Sequence, residues 1–148
     1  MLRPFLAIAG IALTAAMLVL PAPAAARDTR LQLSIADATT SAGNRYGDAV
    51  KLFWGPQAYP EVERRYATVT SNKKTNFFNK SDKEGCEWAW LSAVLALQER
   101  AVREGGNAVV EITSVYRGGT LSSETEYECG AGSVIGGVAL QGTIVKLK

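Results

Sequence analysis

The strongest constraint that this sequence places on its fold is a helix whose two ends are both written into the chain. Ser81-Asp82-Lys83-Glu84 is a capping box, in which the Ser81 hydroxyl and the Glu84 carboxylate each satisfy an amide left free at a helix start. Gly105-Gly106 supplies the stop, because glycine enters the left-handed conformation that closes a helix without a Cβ clash. The spacing therefore predicts a helix from Ser81 to Glu104. At about 100° per residue, Cys86, Trp90, Ala93, Val94, Leu97 and Ala101 form one apolar stripe, and Trp88, Leu91, Leu95 and Val102 form a second that points roughly the opposite way. A helix lying on one sheet needs a stripe only a little over ~100° wide, so the second stripe needs another cover. The N-terminal segment from Leu31 to Tyr59 is one such cover. Its Leu31, Leu33, Leu52, Phe53 and Trp54 supply enough apolar surface for Trp88 and Leu95 to be expected inside. A protein partner is the alternative cover, and it makes Trp88, Leu91, Leu95 and Val102 a candidate interaction face.

The rest of the chain reads as short strands. Leu31 to Ile35 alternates apolar and polar, and Ala36 to Asp48 follows as a loop or brief helix interrupted by Gly43 and Gly47. Val50 to Trp54 has strand composition and stops at the turn pair Gly55-Pro56. Further strands are predicted from about Arg64 to Ser71, from Ala108 to Tyr116, and from Val138 to Leu147 with a break at Gly142. Asn72 to Lys80 is polar and loop-like, and Gly118-Gly119 marks a turn. The expected class is α+β, a single domain with one main α-helix packed on a small antiparallel β-sheet.

Residues 1–26 read as an export signal. Arg3 gives a positive start, Phe5 to Leu20 is unbroken by charge, and Ala24 and Ala26 are small residues flanking a cleavage position. The apolar run is short for a span of ~20 residues and lacks a basic stop-transfer flank, so no membrane insertion is expected after cleavage. Intact mass of the periplasmic protein should therefore match a chain starting at Arg27; full-length protein in the cytoplasm would contradict this. The even cysteine pair, Cys86 and Cys129, is expected to form a disulfide in such a compartment. That bridge bears on topology. If Leu121 to Cys129 hairpinned directly onto the Ala108 strand, Cys129 would sit near the helix C-terminus, ~25 Å from Cys86, against the ~5.5 Å Cα separation a disulfide requires. A long excursion over Gly118 to Ser133, followed by pairing of Val134 to Leu147 with the Ala108 strand, brings the cysteines to the same end. The second topology is the one that permits the bridge.

The chain contains no histidine, which excludes Ser-His-Asp and Cys-His nucleophile systems and histidine metal ligation. Arg3 leaves with the signal, so 15 of the 16 basic residues remain against 14 acidic ones, too even a balance for a purely electrostatic nucleic-acid binder. Ser71-Asn72-Lys73-Lys74 has S-x-x-K spacing, but it lies at a predicted strand end and no Lys-Thr-Gly follows. The glycines of Gly130 to Gly136 and Gly137 to Gly142 approach nucleotide-binding patterns, yet the first precedes a strand and the second lacks the lysine. Both read as glycines for tight backbone geometry. Glu124, Glu126 and Glu128 would share one face of an extended segment, either as a hard-cation site or as a solvated carboxylate row. Lys73, Lys74, Lys80 and Lys83 around Phe77 and Phe78 read as a solvated loop held by two aromatics. No catalytic residue, metal ligand or cofactor is assigned.

Four runs carry a resemblance: Ser71 to Asn76, Asn79 to Cys86, Glu104 to Val110 and Ser122 to Gly132. Together they resemble a family of small exported bacterial proteins of unknown function, members of which often carry an automated label of excinuclease ATPase subunit. The label conflicts with the residues here, which include no complete Walker lysine motif and no zinc-type cysteine pairs. More remotely, the chain from Ala67 onward is similar in layout to the YbjQ-like proteins and to the outer-membrane lipoprotein that senses envelope stress for the Rcs phosphorelay. Shared features are a strand, a helix ending before Gly-Gly-Asn107-Ala108-Val109-Val110, a strand, and a glycine-bearing last strand opened by Cys129. The resemblance implies one helix on an antiparallel sheet and agrees with the long-excursion topology. The chain departs from the stress sensor in lacking a lipobox cysteine, a long disordered arm and a second cysteine pair. The expected function is a non-enzymatic periplasmic or secreted module that binds an envelope protein or other envelope component; the alternative is a metal- or small-ligand-binding protein.

Overall fold

A computed structural model describes residues 20–22 and 26–148. Apart from residues 20–22 and 26, the expected export signal lies outside the described residues. The elements are β1 (Thr29–Ser34), α1 (Ile35–Ala42), β2 (Lys51–Trp54), β3 (Val62–Asn76), α2 (Asp82–Glu104), β4 (Ala108–Ser114), β5 (Glu126–Ala131) and β6 (Ile135–Leu147). Both helices begin at a serine cap. The Asp37 amide donates to Ser34 Oγ and the Glu84 amide donates to Ser81 Oγ, each at 3.1 Å. At the far end of α2, Gly105 takes φ 83° and the Gly106 amide reaches back to the Ala101 carbonyl at 2.8 Å, closing the last turn in the Schellman manner.

β6 is the spine of the sheet. β3 runs along its whole length on one side, from Val62 opposite Leu147 to Asn76 opposite Ile135. The other side is shared: β4 pairs with the C-terminal half, Ala108 opposite Val145, and β5 meets the start, Gly130 opposite Gly137. β2 extends β4 and β1 extends β5, so two arms leave one edge of β6 and the sheet curls. α2 fills the concave side. Cys86, Trp90, Ala93, Val94, Leu97 and Ala101 are buried there against Val109, Ile112, Tyr127, Cys129, Val138, Leu140 and Ile144. Burying each large side chain contributes about 1.5–3 kcal/mol, which makes this layer the main source of stability. Alternate strand residues face the opposite side, where Ala108, Val110, Val145 and Leu147 form a smaller cluster with Phe53, Tyr59 and Val62.

The class is α+β, with corrections of detail. The sheet is mixed: β2 pairs with β4 in parallel, Lys51 opposite Ala108, because the chain between them makes a crossover through β3 and α2. The segment after β1 is a true helix of 8 residues, so α2, with 23, is accompanied by a second helix. β3 continues through Asn76, taking in much of the expected loop. β3 pairs only with β6, and an edge strand tolerates such polar and lysine-rich sequence. β6 is not broken at Gly142. A Cβ there would come within 2.6 Å of Val109 Cγ1, and the irregularity lies in the facing strand, between Val110 and Thr113, where Glu111 has φ 56°.

Cys86 and Cys129 are joined by a disulfide, with Cα atoms 5.9 Å apart and both residues fully buried. The pairing of β6 with β4, and the placing of β5 over the first turn of α2, are the long-excursion topology.

Candidate functional site

The second stripe of α2 is divided by what packs on it. Leu91 is buried, and Leu95 is half-buried against the main core. Trp88 and Val102, by contrast, are 45% and 63% exposed. The N-terminal segment does cover the helix, but its aromatics close over Trp90 and leave Trp88 outside. Trp54 stacks on Trp90 at 5.9 Å with an 18° interplanar angle, and Tyr46 meets it edge-on at 6.0 Å. The expectation that Trp88 is buried is therefore corrected. Its ring faces the Arg45 guanidinium, 4.7 Å from the centroid, in a cation–π contact at the surface.

Gln98 fixes the loop between α1 and β2 to the helix. Its side-chain nitrogen donates to the Gly47 carbonyl at 2.9 Å and to the Val50 carbonyl at 3.1 Å. Between this loop and α2 lies a cleft of about 410 Å³. Ala49, Val50, Leu95 and Val102 give it apolar walls, while Glu99 and Arg103 also line it. Of the four candidate interaction residues, the structure brings Leu95 and Val102 together in this cleft, and Leu91 and Trp88 lie apart from it. Sequence reasoning missed Ala49, Val50 and Gln98. A lone glutamine between two apolar stripes was the available signal, since a buried amide must find partners.

The other candidates separate. Ser71 and Lys74 are three residues apart in an extended strand, so their side chains leave opposite faces and do not form a nucleophile–base pair. Glu126 and Glu128 lie on the outer face of β5, where Glu128 is held 3.5 Å from Arg30, and Glu124 belongs to the preceding turn. Among the described residues no group of three or more His, Cys, Asp or Glu is placed to hold a metal ion. Phe77 is buried against Gly85 and Gly136, whereas Phe78 is exposed, so one aromatic anchors the turn after β3 and the other does not. Gly130 gives way to Tyr116, whose hydroxyl would lie 1.9 Å from a Cβ at that position. Tyr127 is fully buried with its hydroxyl unpaired. Burial, aided by the charges of Glu87 and Asp37, pushes its pKa well above the ordinary value, which keeps the phenol neutral and unsuited to general-base work at neutral pH. Comparison with protein-family models, curated proteins and solved structures finds no match.

Proposed function

We propose that this chain is a non-enzymatic exported module, acting in the periplasm or outside the cell, that binds an envelope protein or other envelope component in the cleft beside α2. The observation that carries the reading is the cleft itself: an apolar hollow between Val50, Leu95 and Val102, with Val102 63% exposed. Hollows with mostly apolar walls and few polar groups are the usual form of binding sites. Export is supported by the buried disulfide, which suits an oxidising compartment, and no helix among the described residues is long and apolar enough to cross a membrane. Arg27, the expected first residue of the processed chain, donates two hydrogen bonds of 2.8 Å to the Asp82 carboxylate at the start of α2. Cleavage after Ala26 would leave that clamp in place. The run from α2 through Gly105-Gly106 into β4 and the glycine-bearing β6 supports a kinship of layout with the YbjQ-like proteins.

Val102→Glu tests the reading. An exposed substitution typically costs within ~0.5 kcal/mol, so the variant should fold with an unchanged melting temperature. Partners retained by the wild-type protein from envelope extracts should be lost. If the variant keeps every partner, the cleft is not the interface.

A further inference from the structure

A second hollow, of about 290 Å³, lies on another flank of α2, between the helix and β3. Its strand wall is Val69 to Lys73, and its helix wall includes Leu97, Arg100 and Arg103. Ser71 stands opposite Leu140 of β6 and shares with it the face that packs on α2. The residue is only 6% exposed, yet its hydroxyl has no hydrogen-bond partner. Buried hydroxyls are seldom left unpaired, and Ser71 is among the residues that line the hollow.

The surrounding charge has one sign. Lys73, Arg100 and Arg103 line the hollow and no carboxylate does. Among the described residues, neither Lys73 nor Arg103 is paired with an acid. Arg100 meets Glu104 through Nε, which leaves its two terminal nitrogens unspent. β3 pairs on one side only, so alternate residues along Val69 to Lys73 also turn their amides outward at the rim. Guanidinium, ammonium and amide donors lining one hollow, with Glu104 on Arg100 Nε as the one carboxylate paired with them, are the chemistry of an oxyanion site.

We propose that the hollow between β3 and α2 binds a phosphate-bearing ligand, with Lys73, Arg100 and Arg103 neutralising the anion and the Ser71 hydroxyl donating to it. The space exceeds that of a bare phosphate, so the ligand class is a small phosphate ester, either free or as a lipid headgroup. This site is separate from the apolar cleft, apart from Arg103, which lines both. The test therefore leaves Arg103 intact.

Inorganic phosphate is titrated into the isotopically labelled protein, with chloride at matched ionic strength as the control. Amide resonances of Ser71, Lys73, Leu97 and Arg100 should shift with phosphate and not with chloride. The double substitution Lys73→Gln/Arg100→Gln should raise the apparent Kd roughly tenfold or more, the loss expected for two charge-assisted contacts. Ser71→Ala should weaken binding severalfold with an unchanged or raised melting temperature, because it removes an unpaired buried hydroxyl. Vesicles of phosphatidylglycerol and of phosphatidylcholine separate the sources. Sedimentation with the former alone, lost in the double variant, makes the ligand a headgroup, and phosphate binding without sedimentation makes it a soluble ester. The proposal is overturned if phosphate causes no shift beyond the chloride control. It is equally overturned if the double substitution leaves affinity unchanged.

Discussion

Reduction of the Cys86–Cys129 bridge is expected to lower the stability of the domain by about 4 kcal/mol. The bridge spans 43 residues of sequence. The chain-entropy relation for a loop of that length gives about 4 kcal/mol, through restriction of the unfolded chain. For a domain of this size the loss corresponds to a fall of roughly 10–15 °C in melting temperature. Cys86→Ala/Cys129→Ala should show a loss of similar direction in the absence of reductant. Both sulfurs are taken up in the bridge and no cysteine is free, so the oxidised protein should offer thiol-blocking reagents nothing to react with. Thermal melts with and without reductant, and mass analysis after blocking, check the two statements. Labelling of both cysteines in the native, unreduced protein would remove the bridge and with it the argument that the long excursion is held over the start of α2.

What was legible in the sequence follows how locally each feature is determined. The ends of α2 depend on Ser81, Glu84 and Gly105, residues within a few positions of the backbone groups they satisfy. The route from β4 to β6 was legible because one long-range fact, the cysteine pair, eliminated the competing hairpin. The parallel pairing of β2 with β4 left no local mark, since Val50 to Trp54 would read the same beside either neighbour in either direction. The length of β3 was hidden for a different reason. Asn72, Lys73 and Lys74 do not alternate in polarity, and only their pairing with Ala139, Val138 and Gly137 makes them strand. At the candidate site, helical periodicity identified Leu95 and Val102 but could not separate them from Trp88. That separation depends on where Arg45 and the loop anchored by Gln98 fall, which is a tertiary outcome. The hollow between β3 and α2 was hidden by the same mismatch as β3, because Ser71 reads as a strand end until β3 carries it beneath α2.

The other large effect is expected at Trp90. This residue is fully buried, and Tyr46, Trp54 and Tyr127 surround its ring at centroid distances of 6.0, 5.9 and 6.0 Å. Trp90→Ala removes the surface on which the segment after α1, β2 and β5 meet the helix, and should cost about 3–5 kcal/mol, the usual loss for a buried aromatic truncated to alanine. Trp88→Ala, two positions away, removes a ring that is 45% exposed and engaged chiefly by Arg45. A surface cation–π contact is worth about 0.5–1 kcal/mol, so a loss near 1 kcal/mol is expected. Urea denaturation of the two variants beside the wild-type protein measures both from the same kind of transition. The ratio decides where the N-terminal segment lies. Equal large losses would mean that the segment also covers Trp88, narrowing the face open to a partner. A small loss at Trp90 would mean that Tyr46 and Trp54 do not close over the helix, leaving the loop before β2 held to α2 by Gln98.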